Sequence, residues 1–466
     1  IVRSPGRMTA ARRKLLGQLQ RRLAKGTIRT DERTLQRHAG DKWFAANPPD
    51  AVAFPRSAKA VAEILKFANR HRIPVTARGS GFGYVGGCVP VRGGIALSLA
   101  KMKRIREISA SDFVAVVQPG VITAELQDAS EAKGLYYPPD PASRADCSIG
   151  GNIATNAGGP RCLKYGVTRD YVLGLEVVLP DGSIAKLGGR CHKNKTGFDL
   201  PRFFVGSEGL LGIVTEATLK LLPLPPFRAC IGMGFGSMRH AARAIQAIFR
   251  AGFLPSAVEV ADAFTLAAAR ERTGSKLFDG CKAHLIVELD GQEKSVRGEL
   301  GQLQKQLKPF SPLHMQKGFG DEGVEKFWQL RREFSYSLRD TGLTKLNNDI
   351  AVPRGKLEAL FRFAGRLQKK HGIRVACFGH AGDGNIHVNL MMDESDPGQV
   401  KRSGDALDDL FRQVLAWGGV VTGEHGIGVA RLPWWEQATS PEARKLHAAF
   451  KRAVDPNGIL NPGKFV

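Results

Sequence analysis

The chain has no run of eighteen uninterrupted apolar residues, which excludes a hydrophobic membrane-spanning helix, and its first residues lack the long apolar centre of a secretion signal. The expectation is a soluble, cytoplasmic protein. Cysteine is sparse: seven residues (88, 147, 162, 191, 230, 281 and 377), none in a C-x-x-C pair. An odd, scattered set fits neither a disulfide framework nor an iron–sulfur cluster, so reduced thiols are expected and any redox function must pass its electrons another way. Acidic charge is also short, with 44 Asp and Glu against 68 Lys and Arg, a net +24. That balance attracts nucleic acid, anionic membrane, acidic proteins and anionic substrates alike. Zinc-finger spacing, aromatic platforms and RNA-binding signatures are all missing, so specific nucleic-acid binding is not expected. Nor is there an internal repeat or low-complexity linker.

Much of the basic excess is local. Residues 1–37 hold eleven Lys or Arg against Asp31 and Glu32. They read as part of a basic helical arm, 1–45, with a solvated or partner-facing surface and a disordered leading few residues. The remaining bulk suffices for two or three globular domains.

What the chain does have is glycine in clusters, each beside a strand-like run. Ser57 can cap a helix through about His71 on the apolar positions Val61, Ile64, Leu65 and Ala68. A short strand, Ile73 to Thr76, then runs into Arg78-Gly79-Ser80-Gly81-Phe82-Gly83. Gly81, Gly83 and Gly86 spell the dinucleotide fingerprint, but Gly87, Pro90 and a strand at 95–99 follow where a helix is required, so the NAD reading is rejected. What remains is a loop whose bare backbone N–H groups can wrap a phosphate, or a flexible hairpin loop.

A second small-residue region contains Pro139, Asp140 and Ser143, then Cys147, Ser148, Gly150, Gly151, Asn152, Ala154, Thr155 and Asn156. With almost no bulky side chain, its backbone can approach a large flat or phosphorylated ligand. A hairpin over Val172 to Leu187 follows, and Glu208, Gly212, Ile213 and Val214 lead into another strand.

The densest chemistry lies at G-H-A-G-D-G-N-I-H, residues 379–387, and G-E-H-G-I-G, residues 423–428. His380, His387 and Glu424 form a three-ligand set suited to Zn²⁺ or a similar ion with an open position. His425 is left over for chemistry. Each alone could be a turn residue or a satisfied core histidine; the four together, each framed by glycine, read as a site.

These motifs, with K-Y-G-V-T-R-D, G-S-E-G-L-L-G-I-V-T-E and the closing D-P-N-G-I-L-N-P-G-K, span residues 50–464. Together they resemble the FAD-linked oxidases of the vanillyl-alcohol-oxidase type. Within that family they resemble the 2-hydroxy-acid dehydrogenase branch of glycolate oxidase flavin subunits, D-lactate dehydrogenases and D-2-hydroxyglutarate dehydrogenase. The resemblance implies an α+β fold: an FAD-binding domain over 46–225, an α+β substrate and metal cap over 226–430, and a C-terminal helical segment, 431–466, returning to the flavin. Within the cap, helical and strand-like stretches alternate, as for helices on one face of an antiparallel sheet.

By the same resemblance the two glycine-rich stretches hold FAD, Gly212 to Val214 meet its adenine side, and Asn461 returns the tail to the flavin domain. His380, His387 and Glu424 match the family's metal ligands, Asn389 a substrate contact, Arg331 the anchor for a substrate carboxylate, and His425 the base. The loop at 78–83 contains no histidine, so FAD is expected to be non-covalent. The family's substrate lysine has only Lys345 as an approximate match, with Asn347 where counting would place it. The implied activity is oxidation of a small D-2-hydroxy acid with a divalent metal, Zn²⁺ first among candidates. An external acceptor would follow: a protein, an iron–sulfur subunit or a quinone. A homodimer and docking to a partner or the inner face of the membrane through the basic arm complete the expectations. The competing readings are a flavin-dependent lyase or transferase on the same scaffold and a basic binding protein.

Overall fold

The computed structural model describes residues 9–466, so the expected disorder of the leading few residues lies outside the described part. The chain divides into two compact units. The first takes the chain up to Gly158, then Val167–Leu224 and Glu424–Val466; the second takes Gly159–Gly166 and Pro225–Gly423. These borders differ from the expected ones mainly in assigning the eight-residue strap Gly159–Gly166 to the second unit and residues 424–430, with Glu424 and His425, to the first.

The first unit holds a four-stranded and a five-stranded sheet. In the smaller one Val75–Arg78 and Ala51–Ala53 flank Ile95–Ser98 in parallel. The helix Ala58–Arg70 forms where its sequence directs, with Ser57 Oγ accepting from the amide of Ala60. Its buried face, Val61, Ile64, Leu65, Phe67 and Ala68, belongs to a core that also takes in Leu460. Burying each Leu or Ile fully contributes about 1.5–3 kcal/mol. The basic N-terminal segment is built into this unit. Ile28–Arg29 pairs with the strand Ala51–Ala53, Leu16 and Leu19 of the helix Ala10–Arg22 enter the same core, and Arg12 Nη1 lies 2.7 Å from Asp50 Oδ2. Charge density marked a surface stripe; two leucines decide where the helix lies.

The second unit is built on a seven-stranded sheet. Every pairing in it is antiparallel. Helices cover both faces, where one was expected. Ala263–Thr273 and Gly320–Asp340 pack over Ala261, Ala376, Phe378 and Met391. Met238–Arg250, Glu293–Leu307 and Leu357–His371 pack against the strands from the other side. The central strands Ala283–Gly291 and Asn385–Met392 are therefore buried at nearly every position, whereas a half-exposed strand would alternate. No helix among the described residues is long and apolar enough to cross a membrane.

Candidate active site

In the first unit the two glycine-rich stretches meet. A Cβ on Gly79 would lie 2.5 Å from Ser148 Oγ, and Gly81 has φ +79°, so neither position accommodates another residue without strain. No helix follows this loop; the next regular element is the strand Ile95–Ser98. Residues 149–155 form a short helix that sequence reasoning did not foresee, ended by Asn156 at φ +52°. Its polar side chains brace the stretch itself: Asn152 Nδ2 donates to Thr123 Oγ1 at 2.6 Å, and Asn156 Oδ1 accepts from the Arg169 amide at 2.8 Å. Pro139 O accepts from Gln127 Nε2 at 3.0 Å and the Ser143 carbonyl accepts from the Cys147 amide at 2.8 Å, while Asp140 is buried. Beside the loop opens a cavity of about 360 Å³, lined among others by Gly40, Trp43, Arg78, Ser80, Gly81 and Phe82.

Glu208 and Asn461 hold this region together. The Asn461 Oδ1 accepts from the Ala77 amide at 3.1 Å, and its Nδ2 donates to the Glu208 carbonyl. The Glu208 carboxylate accepts from the amides of Ile427 at 2.7 Å and Gly428 at 2.8 Å. Burial pushes that carboxyl above its ordinary range, against the pull of those two amides and Lys464. Burial also brings Lys464 down to about 8; its Nζ donates to the Gly86 and Val89 carbonyls. Gly212 packs its backbone on Val177, and Ile213 and Val214 are paired in the strand, opposite Val178 and Val177.

His425 stands in the turn that Glu208 fixes. Its ring stacks on Tyr84, centroids 5.3 Å apart at 29°, and its Nε2 lies 3.7 Å from Glu424 Oε1. Gly426 at φ +86° and Gly428 at φ +51° make this turn possible.

In the second unit, hydrogen-bond register brings the other expected residues to one sheet face. Asn385, His387 and Asn389 alternate along Asn385–Met392, flanked by Asp349 and Asn347 on one neighbour and by His380 and Phe378 on the other. The rings of His380 and His387 lie 5.5 Å apart at 80°. An ion about 2.1 Å from one nitrogen of each at a near-tetrahedral angle would hold centroids roughly 5 Å apart, so the pair fits a shared cation. His380 Nδ1 lies 2.6 Å from Glu259 Oε1, which makes Nε2 the ring nitrogen presented to a cation. Gly423, the residue before Glu424, is fixed here as well, its amide 3.0 Å from Asp349 Oδ2.

Arg331, buried on Gly320–Asp340, donates through Nε to Glu259 Oε2 and lies over the Phe378 ring. Burial works against the ionisation of Glu259, yet Arg331 and His380 outweigh it and hold the carboxyl down to about 2. Asn389 donates to the Ala376 and His387 carbonyls, and its buried Oδ1 accepts no hydrogen bond among the described residues. An acceptor left so is suited to a ligand hydroxyl. Lys345 Nζ donates to Ser335 Oγ at 2.7 Å, and burial lowers its amine to about 8. Lys345 and Asn347 point from the same face of one strand, two residues apart, so both flank the row containing Asn389.

Sequence reasoning missed Glu259, Asp349 and the partnership of Tyr84 with His425. Only Glu259 left a signal, as a lone charge inside the apolar run A-V-E-V-A.

Comparison with known proteins names the family to which these features belong. The FAD binding domain family matches residues 49–188, and the family described as FAD linked oxidases, C-terminal domain, matches residues 224–465. The glycolate oxidase subunit GlcD of Bacillus subtilis (strain 168) is 38% identical over 416 residues, covering 89% of this chain and 88% of its own. A D-lactate dehydrogenase of Anaerostipes hadrus is 32% identical over 430 residues, covering 89% of each. In fold the chain is similar to 4-ethylphenol oxidase from Gulosibacter chungangensis, with TM-score 0.79 at 21% identity, covering 99% of this chain and 98% of that one. The chain belongs to the FAD-linked oxidase family and is an FAD-dependent enzyme.

Because the loop Arg78–Gly83 offers no histidine, FAD should be held without a covalent bond there. Acid precipitation is expected to release the yellow colour to the supernatant; colour kept in the pellet would show a link from elsewhere.

Proposed function

We propose that the chain oxidises a small D-2-hydroxy acid to the 2-oxo acid. The single observation that carries this reading is the sheet face of the second unit, where two histidines able to share a cation lie beside a buried arginine and an unsatisfied Asn389 acceptor. The names of the relatives, glycolate oxidase subunit and D-lactate dehydrogenase, support it. Bound FAD would supply the hydride acceptor, and a divalent ion, Zn²⁺ first among candidates, would supply a Lewis acid that lowers the pKa of the substrate hydroxyl.

The remaining work belongs to the chain's own residues. His380, His387 and Glu424 would hold the ion. Arg331 grips the substrate carboxylate with its two Nη groups, since Nε already serves Glu259. Asn389 Oδ1 orients the hydroxyl, and His425 takes its proton, as a base whose turn is fixed by Glu208. Reoxidation falls to an external acceptor, a protein or quinone met in the cytoplasm or at the membrane surface. Anaerobic bleaching with D-lactate, glycolate and D-2-hydroxyglutarate tests the reading. Reduction by at least one supports it, while a flavin that stays yellow with all three points to the non-redox alternative.

Lys345 sets a pH limit on substrates with a second carboxylate. With its amine at about 8 it is an ammonium below that pH and neutral above it. For D-2-hydroxyglutarate kcat/KM should fall above pH 8, approaching tenfold per unit, while glycolate shows no such limb. Lys345→Met should abolish the difference between the two profiles; an identical limb for both acids would remove Lys345 from the substrate's distal end.

A further inference from the structure

Glu259 lies at the middle of the strand Ala257–Asp262, directly opposite His380 in the sheet register, and is 1% exposed. Each of its carboxylate oxygens serves a different partner. Oε1 meets His380 Nδ1 at 2.6 Å, and Oε2 accepts from Arg331 Nε. As a stabilising device this is a poor choice: taking such charges out of water is costly, and well-packed apolar residues of similar volume are often as stable or more so. As a positioning device it is economical, because an ionised carboxylate is acceptor-only and both groups it touches can donate.

We propose that Glu259 is the positioning residue that sets the metal-binding face of His380 and the substrate-binding face of Arg331 with one side chain. The proposal rests on the reading of those two residues given above. By accepting from His380 Nδ1–H it places the lone pair on Nε2, where a cation is to be bound. By taking the Nε edge of Arg331 it turns the end-on fork of Nη groups outward for a carboxylate. Arg331 is then held twice, its Nε by Glu259 and its guanidinium face by Phe378, whose ring centroid lies 4.9 Å away.

An amide separates this role from a structural one. In Glu259→Gln one acceptor and one NH₂ replace two acceptors. Arginine can only donate, so the amide oxygen turns to Arg331 and the NH₂ to His380. His380 Nδ1 must now accept, its proton moves to Nε2, and the cation face is blocked. Zn²⁺ affinity of the metal-stripped flavoprotein, by equilibrium dialysis, should fall by about 10- to 100-fold. KM for the best hydroxy acid, measured at saturating metal, should move far less. Adding Arg331→Met removes the competing donor and lets the amide oxygen return to His380. The double variant should therefore recover Zn²⁺ affinity to within about threefold of wild type while losing the substrate anchor, a non-additive pair of the kind a double-mutant cycle reads.

A structural role predicts the opposite, with the double variant weaker than either single one. If Glu259→Gln proves unable to hold flavin, the double variant, which has no buried unpaired charge at this place, carries the test: wild-type-like Zn²⁺ binding supports the proposal and its loss overturns it. Wild-type protein that takes up no Zn²⁺ would overturn the metal reading itself, whereas wild-type uptake with an unaffected Glu259→Gln would overturn the role of Glu259 alone.

Discussion

His425→Asn is expected to retain FAD and metal near wild-type levels while anaerobic reduction of the flavin slows by about 10²-fold or more, the typical contribution of a positioned base. Asparagine keeps a planar polar group of similar reach but cannot take a proton at neutral pH. The turn should survive the change, because its conformation is set by Glu208 accepting from Ile427 and Gly428 and by the positive φ of Gly426 and Gly428. A histidine that merely filled the turn and stacked on Tyr84 would behave differently, with reduction within a few-fold of wild type and a loss of stability. Stopped-flow reduction by the best hydroxy acid distinguishes these. Reduction at a rate near that of the wild type in the Asn variant would pass the role of base to another group.

His380→Ala and His387→Ala should each lose metal and turnover while keeping FAD. The histidines belong to the sheet of the second unit, whereas the glycine-rich stretches belong to the first, so the two capacities are built by different residues. Losing a group that only hydrogen-bonds a ligand costs about 10- to 100-fold in metal affinity or activity, and removing the ligand itself should exceed that, to more than about 10²-fold in turnover. Elemental analysis beside the flavin spectrum checks both halves of the expectation. A metal-free variant with full activity would end the metal assignment.

The sequence disclosed elements with strong local signals. Ser57 and the apolar face beginning at Val61 specify the helix Ala58–Arg70 almost to the residue, because cap and periodicity agree. The missing helix after the Arg78 loop was legible for the same reason, in Gly87 and Pro90. The covered strand Asn385–Met392 was legible in part, from the apolar run Val388 to Met391, whereas Ala257–Asp262 was not: it is buried on both faces, which removes the alternation that marks a strand, and the second helical layer responsible is itself non-local information. The catalytic candidates were visible as glycine-framed histidines, whereas their organiser Glu259 was not. Its meaning depends on a register that pairs it with a residue 121 positions later.

That Val75 bridges Leu460 and Ala77 bonds Asn461 across 384 positions also fixes an order of events during synthesis. The ribosome must complete the whole of Pro225–Gly423 before the first unit can receive its last strand partner, its Asn461 clamp and the turn bearing His425. The second unit is continuous apart from its strap, and domains generally fold as units in the order they emerge. A nascent chain therefore presents a finished cap attached to an unfinished cofactor domain. Its glycine loop still lacks Lys464, whose Nζ donates to the Gly86 and Val89 carbonyls.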